Sequence, residues 1–296
     1  MSPLESRCRA LHMPSLKGQV PDAEWLARVE LAAAFRAFHD AGWDDLIFTH
    51  QSLRVPGADN QFLINPFNLT FDEVTASSLV KIDTAGNVLG DRAAISDVAQ
   101  TDGASASGGH SSALGGSDAA SAGEVPIVIN KAGFVIHSAI HMGHPKAHCV
   151  MHLHSIAGQA VACAESGLLP ITQTSMIASY GGVAYHDFEG IAQDDSERDR
   201  LVADMGEHEV MILRNHGTLA IGETVGDAYF RMYYLERACA IQVAAASMNG
   251  KVNAHSDDAL ANTWAQASRQ QPWLRRTIGW PAVLRRMLRR HPDIDS

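Results

Sequence analysis

The chain has 296 residues, of which 46% are hydrophobic and 19% charged, and its formal net charge is -10. A chain of this size can bury one sizeable core, and its acidic balance excludes a surface suited as a whole to nucleic acid or an anionic membrane. The chain shows neither a bilayer-spanning apolar run nor a signal-peptide pattern. We therefore expect a cytoplasmic protein with a small-molecule substrate, no nucleic-acid or membrane partner, and reduced cysteines at positions 8, 149, 163 and 239.

The N-terminal part predicts one helix followed by short strands. Residues 22–41 place apolar side chains at helical spacing before Gly42. Three apolar runs separated by Pro, Gly, Asn and Asp then predict antiparallel strands: LIFTHQSLRV, QFLINP and LVKID. Residues 93–123 are rich in Ser, Gly, Ala and Asp, which predicts a disordered surface insertion.

The second half alternates predicted helices and strands. GFVIHSAIHM predicts a helix that ends near Gly143 and Pro145, CVMHLHS a strand, and IAGQAVACAES a helix that ends at Gly167. VMILRNHGTLAIG predicts two strands around a turn, and residues 224–248 a long helix. These elements indicate an α/β layered domain over residues 1–250 and a C-terminal helical tail over 251–296.

Histidine is concentrated in one part of the chain: six of 15 lie between positions 137 and 154. His152 and His154 project from one face of a strand, and His216 lies in a turn between two strands. Three neutral imidazoles with an open fourth position form the ligand set of catalytic zinc. We predict that these three bind Zn2+, or alternatively Mn2+, Co2+ or Fe2+; for the H-x-H pair alone, a hydrogen-bonded pair is an equal alternative.

The other polar candidates have weaker patterns. His137 and His141 share one helix face and either line the site or form hydrogen bonds in a packed helix. We interpret His144 and His148 as loop residues, and we assign no function to His50 or His186. The long helix carries four further candidates, interpreted as core or subunit contacts with a tyrosine as an alternative general acid: Tyr229, Tyr233, Tyr234 and Glu236.

The run AGFVIHSAIHMGHPKAHCVMHLHS, followed by LRNHG, resembles the class II aldolase/adducin family, in particular its bacterial adducin-like branch. The segments FLINPFNLTFDEVTASSLVKIDTAGNVL, YYLERACAIQ and WPAVLRRMLRR extend the resemblance over most of the chain outside 93–123. The resemblance implies a three-layer fold with a central, mostly antiparallel sheet flanked by helices. It also implies zinc on His152, His154 and His216, and a homo-oligomer, often a tetramer.

Two departures from the family change the expected chemistry. Gly133 stands where the resemblance places a catalytic glutamate, and His137 matches a family histidine, so we predict His137 and His141 as the catalytic residues. Thr49–Ser52 replaces the family's phosphate-binding turn. The expected substrate is therefore a non-phosphorylated hydroxy-keto or hydroxyaromatic acid.

Two functions follow as hypotheses. The first is a zinc-dependent carbon–carbon lyase that acts by aldol cleavage or decarboxylation, and loss of the glutamate favours decarboxylation. The second is an adducin-like binding or scaffold protein that retains a metal site without catalysis. The C-terminal arginines at 275, 276, 285, 286, 289 and 290 are interpreted as packing against acidic surface of this or a neighbouring subunit.

Overall fold

The computed structural model describes residues 13–90, 129–190, 196–248 and 250–296. The insertion predicted at 93–123, and Cys8, lie outside these residues. The described helices are α1 (Asp22–Asp40), α2 (Lys131–Gly143), α3 (Ile156–Ala162), α4 (Gln173–Ala178), α5 (Glu197–Met205), α6 (Val225–Ser247), α7 (Asp257–Trp273) and α8 (Trp280–Arg290). The strands are β1 (Gln51–Arg54), β2 (Gln61–Ile64), β3 (Val80–Asp83), β4 (Cys149–Leu153), β5 (Ala184–His186), β6 (Val210–Leu213) and β7 (Gly217–Gly222).

The strands form one seven-stranded sheet in the order β3-β2-β1-β4-β7-β6-β5. Every neighbouring pair is antiparallel except β5 and β6, which are parallel. The predicted fold class, a mostly antiparallel sheet flanked by helices, is confirmed. Strand β4 lies at the centre, between β1 and β7, and the H-x-H motif lies at its end, with His152 in the strand and His154 directly after it.

Helices cover both faces of this sheet because alternate residues of each strand point to opposite sides. Met151 packs in the larger core with α1 and α6, whereas its neighbour Val150 packs on the other face against α2 and α5. Residues at even positions of β4 therefore face α2. His152 lies on this face, towards the helix that carries His137 and His141.

One helix is shorter than its sequence pattern predicts. The apolar pattern of IAGQAVACAES continues to position 166, but α3 ends at Ala162. The chain turns there, and Gly167 has a φ of 60°, a conformation that glycine adopts without strain. Ser155 caps the start of α3, since its side chain accepts a hydrogen bond from the Gly158 amide.

The C-terminal helices pack back onto the main domain. Arg276 forms ion pairs with Asp227 and Glu223, and Arg290 pairs with Asp40. The carbonyl of Ile294, which is fully buried, accepts a hydrogen bond from the Ala76 amide. The basic segment thus contacts acidic side chains of its own chain. No helix among the described residues is long and apolar enough to cross a membrane.

Candidate metal centre and adjacent histidine chain

Three elements bring His152, His154 and His216 together. His152 lies near the end of β4, and His154 follows that strand directly. His216 lies in the tight turn between β6 and β7, where Asn215 takes a positive φ of 57°. The pairing of Leu153 with Thr218 then aligns the turn with the end of β4.

The three imidazole rings converge on one point. Their centroids lie 4.7 to 4.8 Å apart, and their ligand nitrogens all lie within 4.8 Å of one another. Gly217 permits this approach, because a Cβ added there would overlap the carbonyl oxygen of Leu153 and lie 3.1 Å from His154 Cδ2. His152 is buried, whereas His154 and His216 are half-buried, which leaves the cluster open on one side.

Hydrogen bonds orient two of the rings. His152 Nδ1 lies 2.9 Å from the Thr218 carbonyl oxygen, and His154 Nδ1 lies 3.0 Å from Asp45 Oδ2. Both partners only accept, so each Nδ1 carries the hydrogen, and in the neutral rings each Nε2 carries a lone pair. The two Nε2 atoms face each other at 2.9 Å. Two lone pairs so close repel each other, and a shared cation removes that repulsion.

The electrostatics of the cluster favour neutral imidazoles. Burial, with neighbouring His216 and His154, lowers the pKa of His152 well below its ordinary value. Burial and His154 lower the pKa of His216 to about 4. Metal ligation requires an unprotonated nitrogen, so these side chains are in the ligating state at neutral pH. Geometry and charge therefore both fit a divalent metal.

A buried carboxylate contacts the residues next to the cluster. Glu236 on α6 accepts hydrogen bonds from the hydroxyls of Ser155 and Thr218, the residues next to His154 and Gly217. Burial raises the pKa of Glu236. Through these two hydrogen bonds, Glu236 connects the end of β4 to the start of β7 within one chain. Tyr229, on the same helix, lies in the core against Phe38.

A second histidine cluster lies between helix α2 and strand β1. Ser52 Oγ lies 2.6 Å from His137 Nδ1 and 2.7 Å from His141 Nε2, and His141 Nδ1 lies 2.6 Å from the Ala147 carbonyl oxygen. We call Ser52, His137 and His141 the histidine chain. All three residues are buried. The structure therefore joins His137 to His141 through a serine on β1.

The carbonyl of Ala147 sets the direction of hydrogen bonding along the histidine chain. It only accepts, so His141 Nδ1 donates to it and neutral His141 accepts the Ser52 hydroxyl at Nε2. Ser52 Oγ then accepts from His137 Nδ1, and neutral His137 presents a lone pair at Nε2. Burial lowers the pKa of both histidines, that of His141 to about 3, which favours these neutral forms. His137 Nε2 is buried and has no hydrogen-bond partner among the described residues.

His50 lies beside Gly133 at the start of α2. A Cβ added to Gly133 would lie 2.7 Å from His50 Cε1 and 2.8 Å from its Cγ, so the His50 ring occupies the space of a side chain at 133. The ring centroids of His50 and His137 lie 6.1 Å apart. The Nε2 of His50 is also buried without a partner among the described residues. Sequence reasoning left His50 unassigned, although it directly precedes β1 and lies two residues before Ser52.

The remaining histidine candidates lie outside these clusters. His186 contacts Asp204 and Glu197 at 2.7 and 3.4 Å and does not belong to either cluster. His144 is buried and its Nδ1 accepts from the Lys146 amide, whereas His148 is exposed. Sequence reasoning missed Asp45, which carries no motif and meets His154 only through the fold.

The fold and the site define a class of protein: a mostly antiparallel α/β sheet with an open three-histidine centre at the end of its central strand. A profile of the Class II Aldolase and Adducin N-terminal domain matches residues 29–243. The chain belongs to the class II aldolase/adducin family, as the sequence resemblance predicted.

Individual relatives cover nearly all of the chain. A Caulobacter vibrioides protein named for the class 2 aldolases is 42% identical over 293 residues, 96% of this chain and 97% of that protein. The crystal structure of an aldolase II superfamily protein from Pseudomonas syringae has a TM-score of 0.75 and 40% identity, and covers 96% of this chain and 100% of the other. Alpha-adducin of Rattus norvegicus is 38% identical over 221 residues, 74% of this chain but 26% of adducin.

Proposed function

We propose that this protein is a metal-dependent carbon–carbon lyase that acts on a non-phosphorylated hydroxy-keto or hydroxyaromatic acid. The observation that carries the proposal is the convergence of three imidazoles, two of them oriented through Nδ1, on a point that is open on one side. Membership of the class II aldolase/adducin family supports the same class of reaction.

His152, His154 and His216 would hold the metal, for which zinc is our first choice and Mn2+, Co2+ or Fe2+ the alternatives. When bound, the metal supplies a Lewis acid that polarises a substrate carbonyl. Thr218 and Asp45 would fix the orientation of two ligand rings through their Nδ1 hydrogens. The half-buried position of His154 and His216 leaves room for substrate oxygens beside them.

We assign different tasks to the two predicted catalytic histidines. His137 Nε2 is buried without a hydrogen-bond partner among the described residues, and we propose that it contacts the substrate directly. Both nitrogens of His141 are engaged, by Ser52 and by the Ala147 carbonyl, so we propose that His141 positions His137 through Ser52. In aldol cleavage, His137 Nε2 receives the hydroxyl proton and the O–H electron pair forms the new C=O bond. The pair of the broken C–C bond then leaves with the keto-acid fragment.

The surroundings of Thr49–Ser52 support a substrate without phosphate. A hydroxyl available to phosphate is expected in a phosphate-binding turn, but Ser52 Oγ is engaged by two histidines. The side-chain Nε2 of Gln51 donates to the His152 carbonyl, and His50 fills space beside Gly133. The Ser52 hydroxyl is therefore committed to the histidine chain rather than to an outside anion.

The proposal is tested with purified protein in two steps. Metal analysis should find about one divalent ion per chain, as expected for one three-histidine centre. A panel of 2-keto-4-hydroxy acids and hydroxyaromatic acids should then contain a substrate whose turnover stops on chelation and returns when the metal is restored. Protein that holds no stoichiometric metal would contradict the proposal.

The similarity to alpha-adducin supports a second candidate, a binding or scaffold protein that retains the metal site. It predicts tight metal binding, no turnover with any acid of the panel, and a protein partner. For either candidate we propose a cytoplasmic homo-oligomer, often a tetramer in this family. Light scattering of the purified protein would measure the number of subunits.

A further inference from the structure

We infer that His137 and His50, whose Nε2 atoms are buried beside the metal centre, select substrates carrying a hydroxyl group that reaches them and donates a hydrogen bond to His137 Nε2. This inference rests on the proposed function and deepens it, since it names a group that the substrate must carry. It also favours aldol cleavage, because a substrate hydroxyl has no required part in decarboxylation.

The first support is the direction of hydrogen bonding in the histidine chain. The Ala147 carbonyl can only accept, and this orients His141, then Ser52, then His137, so that the lone pair of His137 Nε2 is left over. A buried acceptor without a donor costs about 1–3 kcal/mol. A ligand that brings a hydrogen to this atom recovers that cost.

The second support is the position of His50. Its ring fills the side-chain space of Gly133 and lies 6.1 Å from the ring of His137, and its own Nε2 is buried and unpartnered among the described residues. Electrostatic interactions link His50 to His137 and to His154, and His137 to His152. Two unsatisfied imidazole nitrogens therefore lie in the same small region next to the three-histidine cluster.

The two Nε2 atoms distinguish hydroxyl groups from fully ionised anions. A carboxylate or a fully ionised phosphate presents only lone pairs, which repel the lone pair of His137 Nε2. A hydroxyl both donates and accepts, so it can satisfy His137 as acceptor and, in one tautomer, His50 as donor. A neutral hydroxyl is therefore the group that fits both nitrogens.

The test compares two ligands that differ by one hydroxyl, 2-oxoglutarate and 4-hydroxy-2-oxoglutarate. Stopped-flow mixing with the cobalt-loaded full chain, followed by visible absorption, gives each Kd before turnover. The hydroxylated acid should bind about tenfold more tightly, as expected for one buried hydrogen bond. In His137→Phe the two acids should bind equally, with the Kd of 2-oxoglutarate unchanged within about twofold, because no contact to that acid is lost.

Two glycine variants separate the role of His50 from general damage to α2. In Gly133→Ala the new methyl group must displace the His50 ring, so the hydroxyl preference should fall. In Gly143→Ala, at the other end of α2, the methyl group would overlap both methyl groups of Val202. This is a similar packing conflict at the end of α2 away from His50. This control should keep the preference, as should His148→Phe, which changes an exposed histidine.

The tautomer of His137 distinguishes the proposed role from a packing role, because packing alone does not require one particular tautomer. Nitrogen NMR of histidine-labelled, zinc-loaded protein should show His137 protonated at Nδ1 and unprotonated at Nε2 at neutral pH. Equal binding of the two acids to the wild-type protein, or His137 protonated at Nε2, would overturn this inference and leave the proposed function standing. Failure of both acids to bind the metal-loaded protein would overturn both.

Discussion

The two histidine clusters of this protein lie on adjacent elements but differ in the partners of their ring nitrogens. In the metal centre, Nδ1 of His152 and of His154 is bound to an oxygen, and the Nε2 atoms converge on a shared point. In the histidine chain, the nitrogens are bound to Ser52 and to a backbone carbonyl, and one Nε2 is left over. Both nitrogens of His141 are engaged, so His141 can only position another residue, whereas His152 and His137 each keep one Nε2 for a metal or a ligand.

The comparison teaches that burial alone does not assign a role. His137, His141 and His152 are all buried, and burial lowers the pKa of each. Their roles differ because their oxygen partners differ. Variants that remove one partner at a time should therefore change one cluster and spare the other.

The largest effect is expected from removing a metal ligand. His216→Ala should weaken metal binding by about a thousandfold, since one of three ligand bonds is lost. Competition with a chelating indicator measures the affinity. His255→Ala removes an exposed histidine and should retain the metal, and an equal loss in both variants would show that the metal is bound elsewhere.

Acid should destabilise the metal-free protein through both clusters. The pKa of His50 and of His141 is lowered to about 3 and that of His216 to about 4, and His137 and His152 shift in the same direction. Below about pH 6.5, the ordinary pKa of histidine, these side chains bind protons in the unfolded chain but stay neutral in the folded one. The free energy of unfolding therefore decreases as the pH falls. The loss should be on the order of 1 kcal/mol per histidine between about pH 6.5 and 5.5.

Denaturant unfolding across that range measures this loss. The control is His255→Gln, which changes an exposed position outside the histidine clusters. A metal-free protein whose free energy of unfolding stays constant across the range would contradict the neutral, buried state of these histidines.

Asp45→Asn should affect the metal centre alone. The amide holds the His154 ring less strongly than the carboxylate, and loss of such a supporting contact typically weakens metal binding by about 10- to 100-fold. Asp44→Asn is a matched control, because Asp44 contacts His39 at 3.1 Å instead. If both variants bind metal like the wild type, Asp45 does not orient a ligand.

Ser52→Ala should affect the histidine chain and spare the metal. It leaves His137 Nδ1 and His141 Nε2 without their shared partner, which should lower the free energy of unfolding by about 1–2 kcal/mol. Turnover should fall while metal content stays unchanged. The control is Ser138→Ala, whose hydroxyl donates only to Val135 one turn earlier in α2. A loss of metal in Ser52→Ala would show that the two clusters are not separable.

Much of the fold was predictable because its signals are local. The strand period of His152 and His154, the Asn-His-Gly turn at 215–217 and the helical spacing of 225–247 each depend on a few neighbouring residues. These patterns predicted six of the seven strands, the helices α1, α2 and α6, and the convergence of three histidines, whereas no prediction covered β5, α4 or α5. The end of α3 was predicted too late, because the apolar pattern continues beyond the residue where the backbone turns.

The surroundings of the site were not predictable because they depend on contacts between distant positions. Asp45 meets His154 and Ser52 meets His137 across 109 and 85 positions, and no spacing pattern marks either pair. His141 matched the pattern of a site residue, but only the fold shows that both of its nitrogens are engaged. Gly133 indicated a lost carboxylate, whereas its overlap with His50 is visible only in three dimensions.

That overlap also constrains the order in which these positions can mutate. A side chain at position 133 and a histidine at position 50 compete for one volume, so each residue sets what the other can become. An unstrained mutational path from Gly133 to a larger residue must first replace His50 by a smaller one. The two positions, 83 apart in the chain, therefore have to evolve as a pair.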